Sequence, residues 1–334
     1  MKLCVIEGDG IGREVIPAAV EVLRAVVSDL TIVTAEAGFE TFEQQGISLP
    51  EETVECALAC GAVLFGAASS PSYPVEGYYS PIVKLRRTLN AFANLRPVRY
   101  LPVPAARPGV DLLVVRENTE DLYVGHEHTE NEGQTGIAEK VITRDATERV
   151  ARLSYELAQR THREKVTIVH KANVLPQSDG LFRRVALEVA QDYPQILTDE
   201  LLIDTAAYWM VKDPLRFDLI LTSNMYGDIL SDMAAAWGGG IGLAPSLSVG
   251  ANIAIAEPMH GSAPDIAGQG IANPTAAILS VAMLLRHTWL LPEKAQQIQD
   301  AVYATLEEGG HTADIYSESA ISTQQFTESV LSHL

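Results

Sequence analysis

The chain has 334 residues, 47% of them hydrophobic and 20% charged, and carries a formal net charge of −19. That length exceeds one ordinary core and predicts two domains, and so acidic a surface argues against nucleic acid or anionic membranes as partners. No run of 18 apolar residues occurs and the three cysteines have neither disulfide nor zinc spacing, so the expectation is a soluble cytoplasmic protein with free thiols.

Leu3–Ile6 reads as a first buried strand; its apolar run is too short for a signal sequence, and acids follow at once. Glu7-Gly-Asp-Gly-Ile-Gly12 comes next, ahead of the helical stretch Glu14–Val27. A dinucleotide fingerprint begun at Gly8 needs glycine at residue 13, and one begun at Gly10 needs it at residue 15. Those positions are Arg13 and Val15, so the motif is read as a tight strand-to-helix turn. Further apolar runs, Thr31–Ala35, Ala62–Phe65, Leu112–Val115, Val166–Val169, Leu201–Ile203 and Leu219–Leu221, read as buried strands. Helical stretches at Thr147–Ala158, Leu181–Gln191 and Pro274–Leu285 alternate with them, which is α/β patterning, and the chain turns mostly helical after Pro274. Cys56 and Cys60 fall on a predicted helix, and with Cys4 they read as buried thiols.

Lys84–Arg99 is a cationic island in an acidic chain, and Arg116 closes the strand after it. Guanidinium forks suit planar carboxylates, and strand ends are where α/β sites form. Arg87 reads as a solvated helix residue, whereas Arg96 and Arg116 adjoin apolar strands and point to a small polycarboxylate ligand. Leu101–Pro108 is proline-rich and extended, a predicted domain crossing. The polar stretch Gly125–Gly136 reads as a projecting hairpin arm and a dimer contact, with His126 and His128 facing solvent rather than a metal.

Tyr123 is a candidate proton donor, and Lys171, in His170-Lys-Ala-Asn173 at a strand end, a candidate base. Asp204 is read as ending a strand, a possible third metal oxygen. In Asn224-Met-Tyr-Gly-Asp-Ile-Leu-Ser-Asp232, Asp228 and Asp232 stand four apart on a predicted helix and share a face. Bare, they repel; Mg²⁺ or Mn²⁺ removes that penalty, while a plain helix N-terminus also accepts acids. Residues 260–274, rich in glycine and polar groups, read as a ligand loop in which Asp265 suits a ribose diol. The absence of lysine and arginine there favours NAD over NADP.

Taken together, Glu7–Gly12, Gly227-Asp-Ile-Leu-Ser-Asp232, His260-Gly-Ser-Ala-Pro-Asp265 and Ile271-Ala-Asn-Pro274 resemble the β-decarboxylating dehydrogenases of isocitrate, 3-isopropylmalate, homoisocitrate and tartrate, over essentially the whole chain. The resemblance implies that family's two-domain α/β fold, not a Rossmann fold, with a dimerisation arm near 125–142. It also implies a discontinuous cofactor-side domain of 1–99 plus 246–334 and a substrate, metal and dimerisation domain of 100–245. It further implies that Arg86, Arg96 and Arg116 bind the malate-like carboxylates and that Tyr123 and Lys171 transfer protons. Asp204, Asp228 and Asp232 hold Mg²⁺ or Mn²⁺, and His260, Gly261, Ser262, Ala263, Asp265 and Asn273 line the NAD site. A homodimer is implied, able to pair into a tetramer, in which Lys171 and Asp204 come from the second subunit; Asn173 joins the substrate residues.

Arg116-Glu-Asn-Thr-Glu-Asp-Leu-Tyr123 resembles the isocitrate and homoisocitrate branch, although Asp121 replaces a glycine common there. Val83 stands where dual-substrate relatives carry arginine, so it offers no charge to the short distal carboxylate of isocitrate. Ser70 and Tyr78 are read as facing the substrate tail. The resulting expectation is NAD-dependent oxidative decarboxylation of homoisocitrate to 2-oxoadipate and CO₂, in the α-aminoadipate route to lysine. Isopropylmalate and isocitrate are the alternative substrates; a non-catalytic regulatory subunit and a metal-binding structural protein are alternatives of a different class.

Overall fold

The computed structural model describes residues 1–73 and 75–334. By its internal contacts the chain forms two units. The first comprises Met1–Ala91, Tyr100–Pro108 and Ala235–Leu334, and the second Phe92–Arg99 and Gly109–Ala234.

The first unit opens with β1 (Lys2–Gly8), α1 (Gly12–Val26), β2 (Thr31–Thr34), α2 (Phe39–Gln45), α3 (Glu51–Cys60), β3 (Ala62–Ala67) and α4 (Pro81–Thr88). The second supplies β4 (Ala93–Arg99), β5 (Asp111–Glu117), the hairpin β6 (Glu127–Glu130) and β7 (Thr135–Ala138), then α5 (Arg144–Arg160), β8 (Lys165–His170) and α6 (Ser178–Ala190). It continues through β9 (Leu197–Leu202), α7 (Ile203–Lys212) and β10 (Leu219–Thr222) into α8 (Asn224–Ala235). The chain then returns to the first unit as β11 (Pro245–Val249), β12 (Ala254–Pro258), α9 (Thr275–His287), α10 (Pro292–Glu307) and α11 (Thr323–Ser332).

In the first unit the strands run β2-β1-β3-β12-β11, parallel except that β11 opposes β12. β3 is buried throughout, so it reads as an unbroken apolar run with no alternation. Every residue of α9 from Thr275 to Leu285 is buried, and α9 packs against α1 and α10. A helix closed on all sides has no polar face to show, and its sequence accordingly has none until Arg286. Cys4 on β1 is buried in the core beneath α3, where Cys56 and Cys60 pack half-buried; all three thiols are free.

The second unit's strands run β4-β5-β10-β8-β9, with β4 antiparallel to β5 and the rest parallel. The parallel strands β5, β10, β8 and β9 therefore all present their C-terminal ends on one edge. β6 and β7 form a separate two-stranded ladder, and both strands are exposed or half-exposed along their length. His126 and His128 lie exposed on it beside Glu139 and Glu130.

The chain's partition departs from the expected boundaries. β4 pairs with β5 from Ala93↔Glu117 to Arg99↔Asp111, so it belongs with the second unit. The proline-rich 100–108 and residues 235–245 group with the first. Near Asp204 the strand ends at Leu202, so Asp204 sits in the first turn of α7 rather than at a strand end.

The glycine motif after β1 is a packing knot. Gly8 has φ +72°, and a Cβ there would lie 1.9 Å from Ala67 O; Gly10, at φ +54°, would place one 2.1 Å from Ser262 O. Asp9 between them is 2% exposed and accepts from three backbone amides, Phe39 N (2.7 Å), Glu40 N (3.1 Å) and Ser69 N (2.8 Å). Gly8→Ala combines a left-handed backbone with a backbone collision, strain on the order of 1–3 kcal/mol before the collision is counted. Its expected result is a clearly lowered melting temperature by calorimetry; an unchanged one contradicts the close approach.

Candidate active site

On the second unit's sheet edge, β4, β5 and the start of α8 bring five of the predicted side chains together. Arg116, at the end of β5, is 2% exposed; its Nε donates to Asn224 Oδ1 (2.8 Å) and its Nη1 to Asp228 Oδ1. Arg96, on β4 and 6% exposed, donates from Nε to Asn94 Oδ1 (2.6 Å). Its Nη1 reaches Ser231 Oγ (2.7 Å), Asp228 Oδ1 (3.2 Å) and Asp232 Oδ1 (3.4 Å). The Tyr123 hydroxyl donates to the other Asp228 oxygen, and the Arg116 guanidinium lies 5.0 Å from the Tyr123 ring centroid. Close packing enforces this: a Cβ on Gly227 would stand 2.7 Å from Arg116 Cβ and Cγ.

Burial raises the pKa of Tyr123, and its hydrogen bond to Asp228 adds to the effect. Asp232, one turn beyond Asp228, also titrates above the ordinary aspartate value, chiefly through burial and against the pull of Arg96. An accessible carboxylate whose charge its neighbours do not fully offset fits a hard cation. Among the described residues no three acidic, histidine or cysteine side chains of one chain are grouped to hold a metal, so Asp228 and Asp232 form an incomplete donor set.

Lys171 and Asp204 form a second pair on the same sheet edge, Nζ to Oδ1 at 2.5 Å, beyond β8 and β9. The bond from Lys171 holds Asp204 below its usual pKa. Asn173 lies exposed in the following turn.

In the first unit, Arg86 is buried on α4 and donates from Nε (3.0 Å) and Nη2 (2.6 Å) to Glu257 Oε1, which also accepts from Ser248 Oγ. Val83 shares a groove of about 460 Å³ with Tyr79, Ser80, Lys84, Arg87 and Thr88. Ser70 is exposed, whereas Tyr78 commits its hydroxyl to Ser69 O; burial, then Asp9, raises its pKa to about 12. The loop after β12 carries the predicted cofactor residues. His260 Nε2 is shielded from solvent and has no hydrogen-bond partner, Asp265 is exposed, and a Cβ on Gly261, Gly268 or Gly270 would meet open space. His260 Nδ1 donates to Gly261 O (2.9 Å) and burial keeps the ring neutral, so Nε2 is an orphaned acceptor, which in a glycine-lined loop fits a polar ligand. Ser262 is tied to Ser69 (Oγ–Oγ 2.9 Å), and Asn273 is turned inward to Thr275 N and Asp314.

The model of the isocitrate/isopropylmalate dehydrogenase family matches residues 2–330. The chain belongs to the isocitrate/isopropylmalate dehydrogenase family. It is 51% identical to the isocitrate/homoisocitrate dehydrogenase of Thermus thermophilus, covering 100% of this chain and 98% of that one. It is 48% identical to the 3-isopropylmalate dehydrogenase of Archaeoglobus fulgidus, over 100% and 99%. The crystal structure of isocitrate dehydrogenase from Methylococcus capsulatus superposes with a TM-score of 0.95 at 39% identity, covering 99% of this chain and 98% of that one. The expected α/β dehydrogenase fold is therefore present, and this family member is an oxidoreductase.

Sequence reasoning passed over the residues that steer these groups in the dehydrogenase: Asn224 and Asn94 on the two arginines, Glu257 on Arg86, and Asp9 under the loop at Ser69. Each is an ordinary polar residue until its partner is known. His170, beside Lys171, is another. It is 5% exposed, its Nδ1 accepts from Ala172 N (3.1 Å), and burial holds it below its usual pKa. The folded state thus favours the neutral ring. That contribution to stability is complete above the unfolded value of about 6.5 and is lost as pH falls below it, through the lowered folded value. His170→Asn keeps an acceptor for Ala172 and removes the titration. Its melting temperature should fall less than the wild type's between about pH 7.5 and about pH 5.5; equal falls contradict the assignment.

Proposed function

We propose that the chain is a homodimeric NAD- and Mg²⁺- or Mn²⁺-dependent dehydrogenase that oxidises and decarboxylates homoisocitrate to 2-oxoadipate and CO₂. The observation that carries the reading is the pair Asp228 and Asp232 surrounded by Arg96, Arg116 and Tyr123. One helix face holds two acids suited to a cation, and buried guanidiniums suited to carboxylates stand against it.

Asp228 and Asp232, with Asp204 of the second subunit, would hold the cation. Exposed Tyr208 and Val211 on α7 and Met225 and Ile229 on α8 support a subunit contact at these helices. His260, Gly261, Ser262, Ala263 and Asp265 would receive NAD, with Asn273 bracing the loop; exposed Asp265 favours a ribose diol and disfavours a ribose phosphate. When bound, the cation supplies Lewis acidity at the substrate's hydroxyl and neighbouring carboxylate, and the nicotinamide takes the hydride.

The protein's own groups do the rest. Arg86, Arg96 and Arg116 bind and orient the malate-like carboxylates. Lys171 removes the hydroxyl proton as hydride departs, and Tyr123 returns a proton to the carbon that loses CO₂. Val83, uncharged in its groove, supports a longer acid over isocitrate; the same apolar side chain supports isopropylmalate as the second reading.

Two measurements test this. Chelator-stripped enzyme should form no NADH until Mg²⁺ or Mn²⁺ is restored, and kcat/KM should rank homoisocitrate above isocitrate and isopropylmalate. Undiminished turnover without metal sinks the cation assignment, and better turnover of isopropylmalate sinks the substrate. Separately, Val83→Arg should raise isocitrate turnover relative to homoisocitrate by about tenfold, one charged hydrogen bond's worth; no gain shows that Val83 does not meet the substrate.

A further inference from the structure

Asp121 holds a backbone conformation that glycine adopts far more readily than other residues, with φ 71° and ψ −147°. An L-residue in that region is strained unless its surroundings hold it. Here they do. Asp121 is fully buried; Oδ1 accepts from Leu122 N (2.9 Å), and Oδ2 accepts from Ser223 Oγ (2.7 Å) and Met225 N (3.1 Å), the first residues of the α8 segment. Its backbone amide donates to Val141 O (2.8 Å).

Lys140, just beyond β7, completes the arrangement. Its side chain is 12% exposed, and Nζ lies 3.5 Å from Asp121 Oδ1, 2.6 Å from Asp179 Oδ1 and 4.1 Å from the centre of the Tyr226 ring. Asp179, 1% exposed on α6, accepts from Lys171 N with its other oxygen at 2.6 Å. Burial opposes the charge on Lys140, yet Asp121 and then Asp179 outweigh it and hold its pKa above the usual lysine value. One ammonium therefore ties together the turn leading to Tyr123, the turn carrying Lys171 and, through Tyr226 and the Asp121 carboxylate, the helix carrying Asp228.

We propose that Lys140, clamped between Asp121 and Asp179, is a positioning residue that holds on one anchor the Tyr123 and Asp228 of one active site and the Lys171 that serves the partner subunit's site, and that Asp121 accepts backbone strain in order to anchor it. This rests on the roles given to Tyr123 and Lys171 under the proposed function. None of the three clamp residues is assigned to touch substrate. Their effect is on the geometry in which protons move, where displacement by about 1 Å costs on the order of a hundredfold in rate.

The test uses the full-length homodimer and the best of the three 2-hydroxy acids. Asp121→Gly removes the carboxylate while suiting the backbone, so it folds; Lys140→Met removes the charge and keeps the stem. Both should lower kcat about tenfold or more, with KM for acid and NAD nearly unchanged, and Lys140→Arg should recover most of the loss. A purely structural role predicts a lower melting temperature with wild-type kcat per folded enzyme, which overturns the proposal. If Lys140→Met is insoluble, wild-type kcat in Asp121→Gly alone overturns it. Tyr123→Phe separates the two readings. Full activity in that variant defeats the proposed function itself, whereas a disabled Tyr123→Phe beside a fully active Asp121→Gly defeats only the clamp.

Discussion

Asp228 is the group on which the second unit's site depends. Two guanidiniums, on Arg96 and Arg116, are almost wholly withdrawn from water, and buried cations persist only when paired. Both use the same oxygen of Asp228, while its other oxygen takes the Tyr123 hydroxyl. Asn94, Asn224 and Ser231 take further donors of the two guanidiniums. The carboxylate thus sets the facing direction of β4, β5 and α8 at their ends. The residues suited to a dehydrogenase's substrate are also each other's counter-charges.

This mutual pairing also explains what the sequence made legible. The apolar runs of β1, β3, β5, β8 and β10 announce themselves because parallel strands covered on both faces carry no polar alternation. The four-residue spacing of Asp228 and Asp232 survives translation into structure because α8 is a regular helix there. β4 was hidden as a strand because Asn94 and Arg96 interrupt its apolar run; they are buried by bonding each other, and Arg96 by reaching Ser231 and Asp228 as well. β11 and β12 were hidden likewise: Ser246 is buried against Ser280, and Ser248 against Glu257. Around Asp204, Leu201–Ile203 looked like a strand core. It is the junction of the half-exposed β9 with α7, a boundary that apolar content alone does not mark.

The positioning groups were the least visible. Asp121, Lys140 and Asp179 are far apart in the chain, and only the odd residue at a glycine's position hinted at them. Strain at such a position is informative because something nearby has to sustain it. Here that is one lysine satisfying two carboxylates. The hairpin from which Lys140 emerges is itself exposed, so a segment with almost no core of its own ends in a deeply anchored charge.

The knot at residues 8–12 has a comparable reach in the first unit. Through Asp9 it holds the base of the loop that begins at Ser69, in which Ser70, Ser72, Tyr73, Glu76 and Gly77 are exposed while Tyr79 returns to pack on the core. The loop is tied at its base by Asp9 and Ser262 and at its return by Ser48 and Tyr79, which leaves the stretch between them the least anchored. There, length and lettering can drift with the least disturbance to the strands beneath.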